Sequence, residues 1–392
     1  MNGIKFIREQ GGLGRTLTGS DHISGLIVYG ETAVEKKLLL SVEDLTLQNI
    51  TAENNPVLHY HASEFFRINE GAKLYVQSVE NSDGQYSEVK ILQNFAEGNI
   101  RQIAICDFKT AVSSLSASVA KLNEIATELG NANIPLSVLL SLKVSSSDMT
   151  SLPDLHSLNA ERVSVVLGQD GAGRGAYIAQ TTASIGCIGA VLGATSKANV
   201  HESIGWVEKQ NLVSTAYEKA FTGGEQKALE LDVPAFCDGS KLGDYTPAQI
   251  EAIHDKGYIF LVKYTGTTGT FFNDSFTATV LTSDYAYIEN NRTIDKAIRG
   301  INKVLLPKVS GPAYIDPDTG ELDYSTVKSL EALADDVLSQ MKKDGELSGY
   351  KVSINPNQQV LKTSKLEVVI KLVPTGTLRE IIVRIGLTLK TE

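Results

Sequence analysis

The glycine-rich stretch Gly171–Ala176, GAGRGA, is the clearest candidate for chemistry in this 392-residue sequence. It matches the pattern G-x-G-x-x-A, in which glycines let backbone N–H groups approach a pyrophosphate at the N-terminus of a helix. The preceding predicted strand, Val163–Leu167, ends four residues too early, however, and no acidic residue follows about 20 positions later to bind a ribose. The Gly171–Gly175 loop is therefore interpreted as a connection. A nucleotide-binding α/β enzyme that uses this loop remains the alternative.

Two other sets of residues could do chemistry only if the fold assembled them. Asp170, Ser184 and His201 contain the residue types of a hydrolase triad, but the sequence has no G-x-S-x-G nucleophile elbow. His59 and His61 could bind a metal from a strand, yet their segment has a helical pattern, in which residues two apart diverge. The sequence therefore predicts no catalytic residue, no metal site and no cofactor.

A cluster of carboxylates lies between two predicted helices, at Asp316, Asp318, Glu321 and Asp323. It resembles a calcium loop, but an EF-hand needs Asp or Asn where Gly320 stands. The favoured interpretation is a Pro/Gly turn with solvated carboxylates.

Four basic residues lie on or just after one predicted helix, Arg292–Leu305: Lys296, Arg299, Lys303 and Lys308. The favoured interpretation is a solvated helix face. A docking surface for an acidic partner is the functional alternative, to which a local basic patch gives weight in a chain with a net charge of -10.

The elements that must position these residues follow an α/β rhythm in the first two thirds of the chain. Strands alternating with helices predict a largely parallel, buried sheet. The predicted strands are Ile23–Gly30, Lys73–Val79, Ile103–Cys106, Pro135–Leu142 and Val163–Leu167. The predicted helices are Val57–Asn69, Ala111–Leu129, Ala176–Leu192 and Pro247–Lys256, the last capped by Thr246.

The last hundred residues predict a small α+β unit. Two amphipathic helices, Arg292–Leu305 and Ser325–Lys343, precede strands at Tyr350–Ile354, Leu366–Val373 and Glu380–Lys390. The final strand alternates with period two, which is typical of one buried face. That face carries Ile381, Val383, Ile385, Leu387 and Leu389. Such a strand can complete its own sheet or add to the sheet edge of a neighbouring subunit.

Composition excludes several classes of protein. The chain has 42% hydrophobic residues and a pI near 5.3, which is typical of a globular protein and argues against nucleic-acid binding. No apolar run is long enough to span a bilayer, and the N-terminus lacks a signal-peptide core. Cys106, Cys187 and Cys237 are isolated and are predicted to be buried, reduced thiols in a cytoplasmic protein.

The order of features in the last hundred residues resembles the contractile tail sheath family of phages and related injection systems. The matching segments are the helix opening at Asn291–Asp295, the loop Tyr314–Leu322, the helix to Lys343, the strand Gly349–Asn355, and the apolar pair closing on Pro374–Gly376 and Arg379–Leu389. Residues 12–15 and 21–27 look like the start of a divergent branch of sheath-like proteins.

The resemblance implies a structural protein rather than an enzyme. Its partners would be copies of itself in stacked hexameric rings, a tail tube protein, the baseplate and a tail terminator, with no nucleic acid and no membrane insertion. The implied location is the virion tail, assembled in the bacterial host cytoplasm. The residues 381–389 become a subunit-linking arm, and the four basic residues become candidates for the tube-facing surface. Another tail accessory protein, a terminator or adaptor, stays as an alternative.

Five segments follow from pattern and resemblance together. They are an N-terminal extended arm (1–25), a mixed αβ segment (26–100), a central α/β domain (101–288), a C-terminal α+β sheath core (289–378) and a C-terminal arm strand (379–392). The resemblance implies a subtilisin-like, non-catalytic layout for the central domain. It also implies that arms of neighbouring subunits complete the C-terminal sheet.

Overall fold

A computed structural model describes residues 17, 19–149, 151–215 and 228–387. The chain divides into two compact units, Met1–Pro312 and Ala313–Glu392. The predicted N-terminal arm lies mostly outside the described residues.

The first unit alternates strands with helices, as the sequence predicts. Its strands are β1 (Ser24–Tyr29), β2 (Val34–Leu39), β3 (Leu74–Val79), β4 (Gln102–Ala111), β5 (Ser137–Lys143), β6 (Val163–Val165), β7 (Gly168–Asp170), β8 (Pro234–Phe236), β9 (Leu261–Val262) and β10 (Phe271–Phe272). Its helices are α1 (Glu43–Leu47), α2 (Pro56–Ile68), α3 (Glu88–Phe95), α4 (Leu115–Asn131), α5 (Arg174–Thr181), α6 (Ile188–Lys197), α7 (Pro247–His254) and α8 (Ile288–Leu305).

One mostly parallel sheet organises this unit, with strand order β2-β3-β1-β4-β5-β6. All its described pairs are parallel except the antiparallel pair of β2 and β3. Because side chains alternate across a strand, Leu26 and Val28 face the α2 and α6 side, whereas Ile27 and Tyr29 face the α3 and α4 side. Both faces are buried, so the prediction of a buried, largely parallel sheet is confirmed. The sheet takes strands from both sides of residue 100.

One predicted helix, Ala176–Leu192, is wrong, because the chain forms α5 and α6 with a break between them. At the break the Cys187 N–H donates to the Gly168 carbonyl at 2.7 Å instead of continuing a helical ladder. The small residues on either side permit close packing, since a Cβ at Gly189 would lie 2.2 Å from the His61 carbonyl oxygen. The run of small residues therefore indicates close packing between elements. It does not indicate one continuous helix.

The second unit contains α9 (Tyr324–Lys343), β11 (Leu347–Ser353), α10 (Val360–Thr363) and β12 (Val369–Pro374). Asp323 caps α9 by accepting from the Ser325 N–H at 2.9 Å. The predicted apolar stripe of α9 is buried at Val327, Ala334, Leu338 and Met341. The two helices and the first two strands predicted for the last hundred residues are confirmed, with β12 shorter than its pattern.

Where the structure describes the chain, no helix is both long and apolar enough to cross a membrane. The three cysteines are buried and free, as predicted.

Candidate functional site

The C-terminal segment of the second unit follows a small sheet. β11 and β12 form an antiparallel pair with Tyr350 opposite Leu372 and Val352 opposite Ile370. Within the described residues this sheet has only these two strands. A two-stranded sheet is marginal alone and has unpaired N–H and C=O groups at its edges.

After β12 the chain runs through residues 375–387 without forming a strand. The predicted third strand, Glu380–Lys390, is therefore wrong for the single chain over its described part, 380–387. The alternation that predicted it is a property of the side chains, and no described strand of this chain pairs with the segment. Ile381 is 75% exposed, Val383 76% and Ile385 94%, and Leu387 is also exposed. Leu389 lies outside the described residues. The predicted arm is therefore a solvent-exposed segment without secondary structure as far as Leu387.

Burial of these side chains against a partner would stabilise a complex. Full burial of a Val, Leu or Ile side chain contributes about 1.5–3 kcal/mol. Four such residues in alternate positions could contribute on the order of 6–12 kcal/mol against a partner. Main-chain hydrogen bonds to a sheet edge would add specificity of register.

Two of the four basic candidates make ion pairs within the first unit. Asp21 accepts from Arg299 Nη2 at 2.8 Å and lies 3.0 Å from Lys296 Nζ. Burial raises the pKa of Asp21, but Lys296 and Arg299 outweigh it and hold that pKa below its usual value. Lys303 and Lys308 are exposed. The predicted patch is thus divided between an internal ion-pair cluster and a free surface.

The glycine loop presents the N-terminus of α5 to a carboxylate of the same chain. The N–H groups of Arg174 and Gly175 donate to Glu230 at 2.6 and 2.9 Å, and the Tyr60 hydroxyl donates to the same carboxylate at 2.9 Å. A Cβ at Gly175 would lie 2.4 Å from that hydroxyl. The N–H groups that the G-x-G-x-x-A pattern would direct at a phosphate therefore donate to Glu230 of the same chain.

Burial, helped by the charges of Glu64 and Asp170, raises the pKa of Glu230 to about 8, although hydrogen bonds from Gly175 and Tyr60 oppose the rise. Asp170 accepts from the Gly173 N–H, and burial raises its pKa too. Three carboxylates close together in a dry site repel one another when charged. The buried carboxyl groups of Glu230 and Asp170 therefore favour proton retention near neutral pH.

The remaining sequence candidates have separate local partners. The Ser184 hydroxyl donates to the Ala179 carbonyl at 3.5 Å, and no hydrogen bond among the described residues joins it to Asp170 or His201. His61 is fully buried 3.7 Å from Cys106 Sγ, and burial lowers its pKa to about 3. Within the described ranges no group of three or more metal-binding side chains is assembled.

The acidic loop is a turn, as predicted. Asp316 Oδ1 accepts from the N–H groups of Asp318 and Thr319 at 2.9 and 3.2 Å. Gly320 has a φ of +73°, a conformation that favours glycine.

Sequence reasoning missed Glu230 and Asp21 as organising residues. Glu230 follows a polar stretch and is separated by 56 residues from Arg174, so no local spacing links the two. Asp21 likewise meets Arg299 across 278 residues.

Comparison with known proteins gives consistent results over the whole chain. The family described as "DUF2586, N-terminal domain" matches residues 1–276, and "DUF2586, C-terminal domain" matches residues 284–392. No curated protein sequence matches the chain.

Solved structures share the fold at low sequence identity. A chain of the anti-feeding prophage (AFP) baseplate has 15% identity and a TM-score of 0.63, with 99% of each chain covered. A chain of the PVC sheath complex, an extracellular contractile injection system in its contracted state, has 11% identity and a TM-score of 0.61, covering 99% of this chain and 98% of that one. The sheath tail protein from Listeria innocua has 9% identity and a TM-score of 0.54, covering 92% and 96%. The predicted resemblance to contractile sheath proteins is confirmed at the level of fold.

Proposed function

The chain belongs to the DUF2586 family and has the fold of contractile sheath proteins, and from this premise we propose that it is a structural subunit of a contractile tail sheath. Copies stack as hexameric rings around a tail tube, and the assembled sheath contracts to drive the tube through a target envelope. The protein acts by assembly and has no catalytic residue or cofactor in this role.

The exposed C-terminal segment is the observation that carries the proposal. Residues 381–387 present alternate apolar side chains to water next to a two-stranded sheet. Large apolar surface left in water marks an interaction site. In the assembled sheath this segment pairs with the sheet edge of a neighbouring copy, and the N-terminal arm, 1–25, reaches another neighbour.

These strand links would keep subunits joined while the lattice changes. The extended sheath is a metastable state, and on triggering the subunits rotate outward and bury more surface against each other. The energy is stored at assembly, so contraction needs no nucleotide. The occupation of the α5 N-terminus by Glu230 supports this part of the proposal.

The finer architecture belongs to the same proposal. The first unit takes a subtilisin-like layout without catalytic function, and the segments 289–378 and 379–392 act as sheath core and arm. Lys303 and Lys308, which are exposed, are the stronger candidates for contact with the tube; the charges of Lys296 and Arg299 are partly engaged by Asp21. Baseplate and terminator cap the two ends of the sheath in the virion tail.

Deletion of residues 379–392 tests the proposal. We expect the shortened protein to remain folded, because the described part of the segment contributes no strand and little buried surface. We also expect it to stay monomeric, because it has lost the strand that links subunits. Negative-stain electron microscopy and analytical ultracentrifugation measure assembly, and circular dichroism measures folding.

The full-length chain is the control and should form hollow tubes or rings. Tubes at normal yield from the deleted protein would disprove the role of the arm. A full-length protein that forms only single rings, and never tubes, would instead favour a terminator or adaptor.

A further inference from the structure

A pocket in the first unit is lined by an unusual number of arginines. It lies where the N-terminal ends of β1 and β4 meet α8, and it is small and open to solvent. We call it the arginine pocket. Its lining consists of Asp21, Arg101, Gln102, Val200, Arg292, Asp295 and Arg299.

Positive charge exceeds negative charge around this pocket. Three guanidinium groups line it against the two carboxylates of Asp21 and Asp295. The groups paired with those carboxylates, Lys296 and Arg162, add two further cations.

Both carboxylates already have cationic partners. Asp295 accepts from Arg162 Nη1 at 2.7 and 2.6 Å through its two oxygens. Asp21 pairs with Arg299 and Lys296, one on each oxygen. Neither carboxylate therefore compensates Arg101 or Arg292 directly.

Arg292 has N–H groups that no described residue accepts. It is 4% exposed, and its Nη1 donates to the carbonyls of Ala198 and Asn199 at 3.1 and 3.2 Å. Its Nη2 is buried and has no hydrogen-bond partner among the described residues. A buried guanidinium with an unused N–H fork is costly unless an anion accepts from it.

Arg101 repeats this feature on another side of the pocket. Its Nη1 donates to the Gly98 carbonyl at 2.9 Å, whereas its buried Nε has no partner in the described part of the chain. Burial, together with the charge of Arg299, lowers the pKa of Arg101 to about 10, and burial lowers that of Arg292 to about 10. Both remain cations at neutral pH, in surroundings that compensate their charge poorly.

Nearby carboxylates do not remove the excess. Glu202 also acts on Arg292, but it pairs with Lys209 at 2.6 Å and accepts from Asn199. Glu289 accepts from the Ser275 hydroxyl at 2.6 Å. Counting all these groups, the neighbourhood keeps a net positive charge.

We propose that the arginine pocket is a binding site for a small oxyanion, with Arg292 Nη2 and Arg101 Nε as its donors and Arg299 as a further positive charge. The chemistry suits phosphate, sulfate or a carboxylate, because planar guanidinium forks match these groups. The site is independent of the sheath role: it is complete in one subunit, and its test uses the unassembled full-length protein.

Isothermal titration of the full-length protein with inorganic phosphate, sulfate and acetate, each at fixed ionic strength, tests the site. We expect saturable binding at one site per chain. Arg101→Gln should weaken it by about tenfold, the loss of one charge-assisted hydrogen bond. The matched control is Lys303→Gln, which removes one positive charge from an exposed position on α8 and should change affinity by less than about twofold.

The three anions separate the possible sources of ligand. Tighter binding of phosphate or sulfate assigns a free inorganic ion or phosphorylated molecule, and binding of acetate alone assigns a carboxylate such as an acidic side chain. Absence of binding by all three, or equal weakening in both variants, would overturn the proposal.

A second measurement needs no variant, in case Arg101→Gln does not fold. Phenylglyoxal modifies accessible arginines, and mass spectrometry locates the products. The bound anion should slow modification of Arg101 and Arg299 several-fold and leave the exposed Arg384 unchanged. Equal protection of all three, or none, would contradict the site.

Discussion

Glu230 occupies the N–H donors that the Gly171–Gly175 loop would otherwise present to a phosphate. The N–H groups at the start of α5 carry partial positive charge and attract anions. Glu230 supplies an acceptor from within the chain in place of such an anion, at 2.6 Å from the Arg174 nitrogen. Gly175 is required because the Tyr60 hydroxyl and the Gln169 amide oxygen lie where a Cβ would stand. The glycines therefore serve packing and a structural cap.

The first prediction concerns the pH dependence that Glu230 gives to folding. Its folded-state pKa of about 8 lies above the ordinary 4.5, so the folded protein retains a proton that the unfolded chain releases. This contribution to stability is complete below about pH 4.5 and is lost as the pH rises through 8. When the pH rises from 5 to 8, the unfolding free energy of the wild type should fall. That of Glu230→Gln should fall by on the order of 1–3 kcal/mol less.

Urea unfolding at several pH values measures this difference. Glu251→Gln, an exposed substitution on α7, is the control and should follow wild type. A Glu230→Gln protein whose stability falls with pH as steeply as wild type would show that Glu230 is charged throughout.

At the scale of elements, the last segment has the side-chain pattern of a strand and lacks the partner that would make it one. A strand is defined by hydrogen bonds to a neighbour, and residues 375–387 have none of ladder type in the single chain. β11 and β12 differ from this segment, because each forms ladder hydrogen bonds with the other. Strand formation at the C-terminus is thus expected only on assembly.

The alternation itself can be tested by two single substitutions. Ile385→Asp places a charge on the face shared by Ile381, Val383 and Leu387, and it should abolish or strongly reduce assembly. Ile382→Asp places the same charge on the opposite face and should have a much smaller effect. Both residues are exposed in the single chain, so both variants should unfold at the wild-type temperature. Sedimentation and electron microscopy measure assembly; equal losses in the two variants would argue against one-sided strand pairing.

The elements differ in how far the sequence predicts them. β1, α2, α9 and β11 follow from periodicity, because burial of one face or both fixes the residue types at their own spacing. The break between α5 and α6 does not, since it depends on Cys187 bonding to Gly168 in another element. The partners of Glu230, Asp21 and Arg292 were equally hidden, because pairs far apart in sequence leave no local spacing to detect.

At the scale of the whole molecule, α8 is part of the first unit. Asp295 pairs with Arg162, Arg292 donates to the Ala198 carbonyl, and Arg299 pairs with Asp21. The unit that contains them extends to Pro312. The sequence-based division places the boundary between residues 288 and 289, so the two divisions lead to different fragments.

Comparison of fragments 1–312 and 1–288 distinguishes the two boundaries. We expect fragment 1–312 to unfold cooperatively, because both large hydrophobic clusters lie inside it. Fragment 1–288 leaves Arg162 and Asp21 without their partners and should be less stable by on the order of 3–5 kcal/mol. Thermal melts followed by circular dichroism measure both; equal stability would place the boundary before α8.

The exposed apolar residues 381–387 also bear on how the free protein behaves as its concentration rises. Each free copy has an exposed apolar C-terminal segment and unpaired sheet edges. These two features together favour uncontrolled polymerisation. Solutions of the purified protein should therefore stay clear below a critical concentration and become turbid above it. Turbidity should rise after a lag, and preformed seeds should abolish that lag. If a template assembles first in the cell, polymerisation starts on that template and not at random in solution.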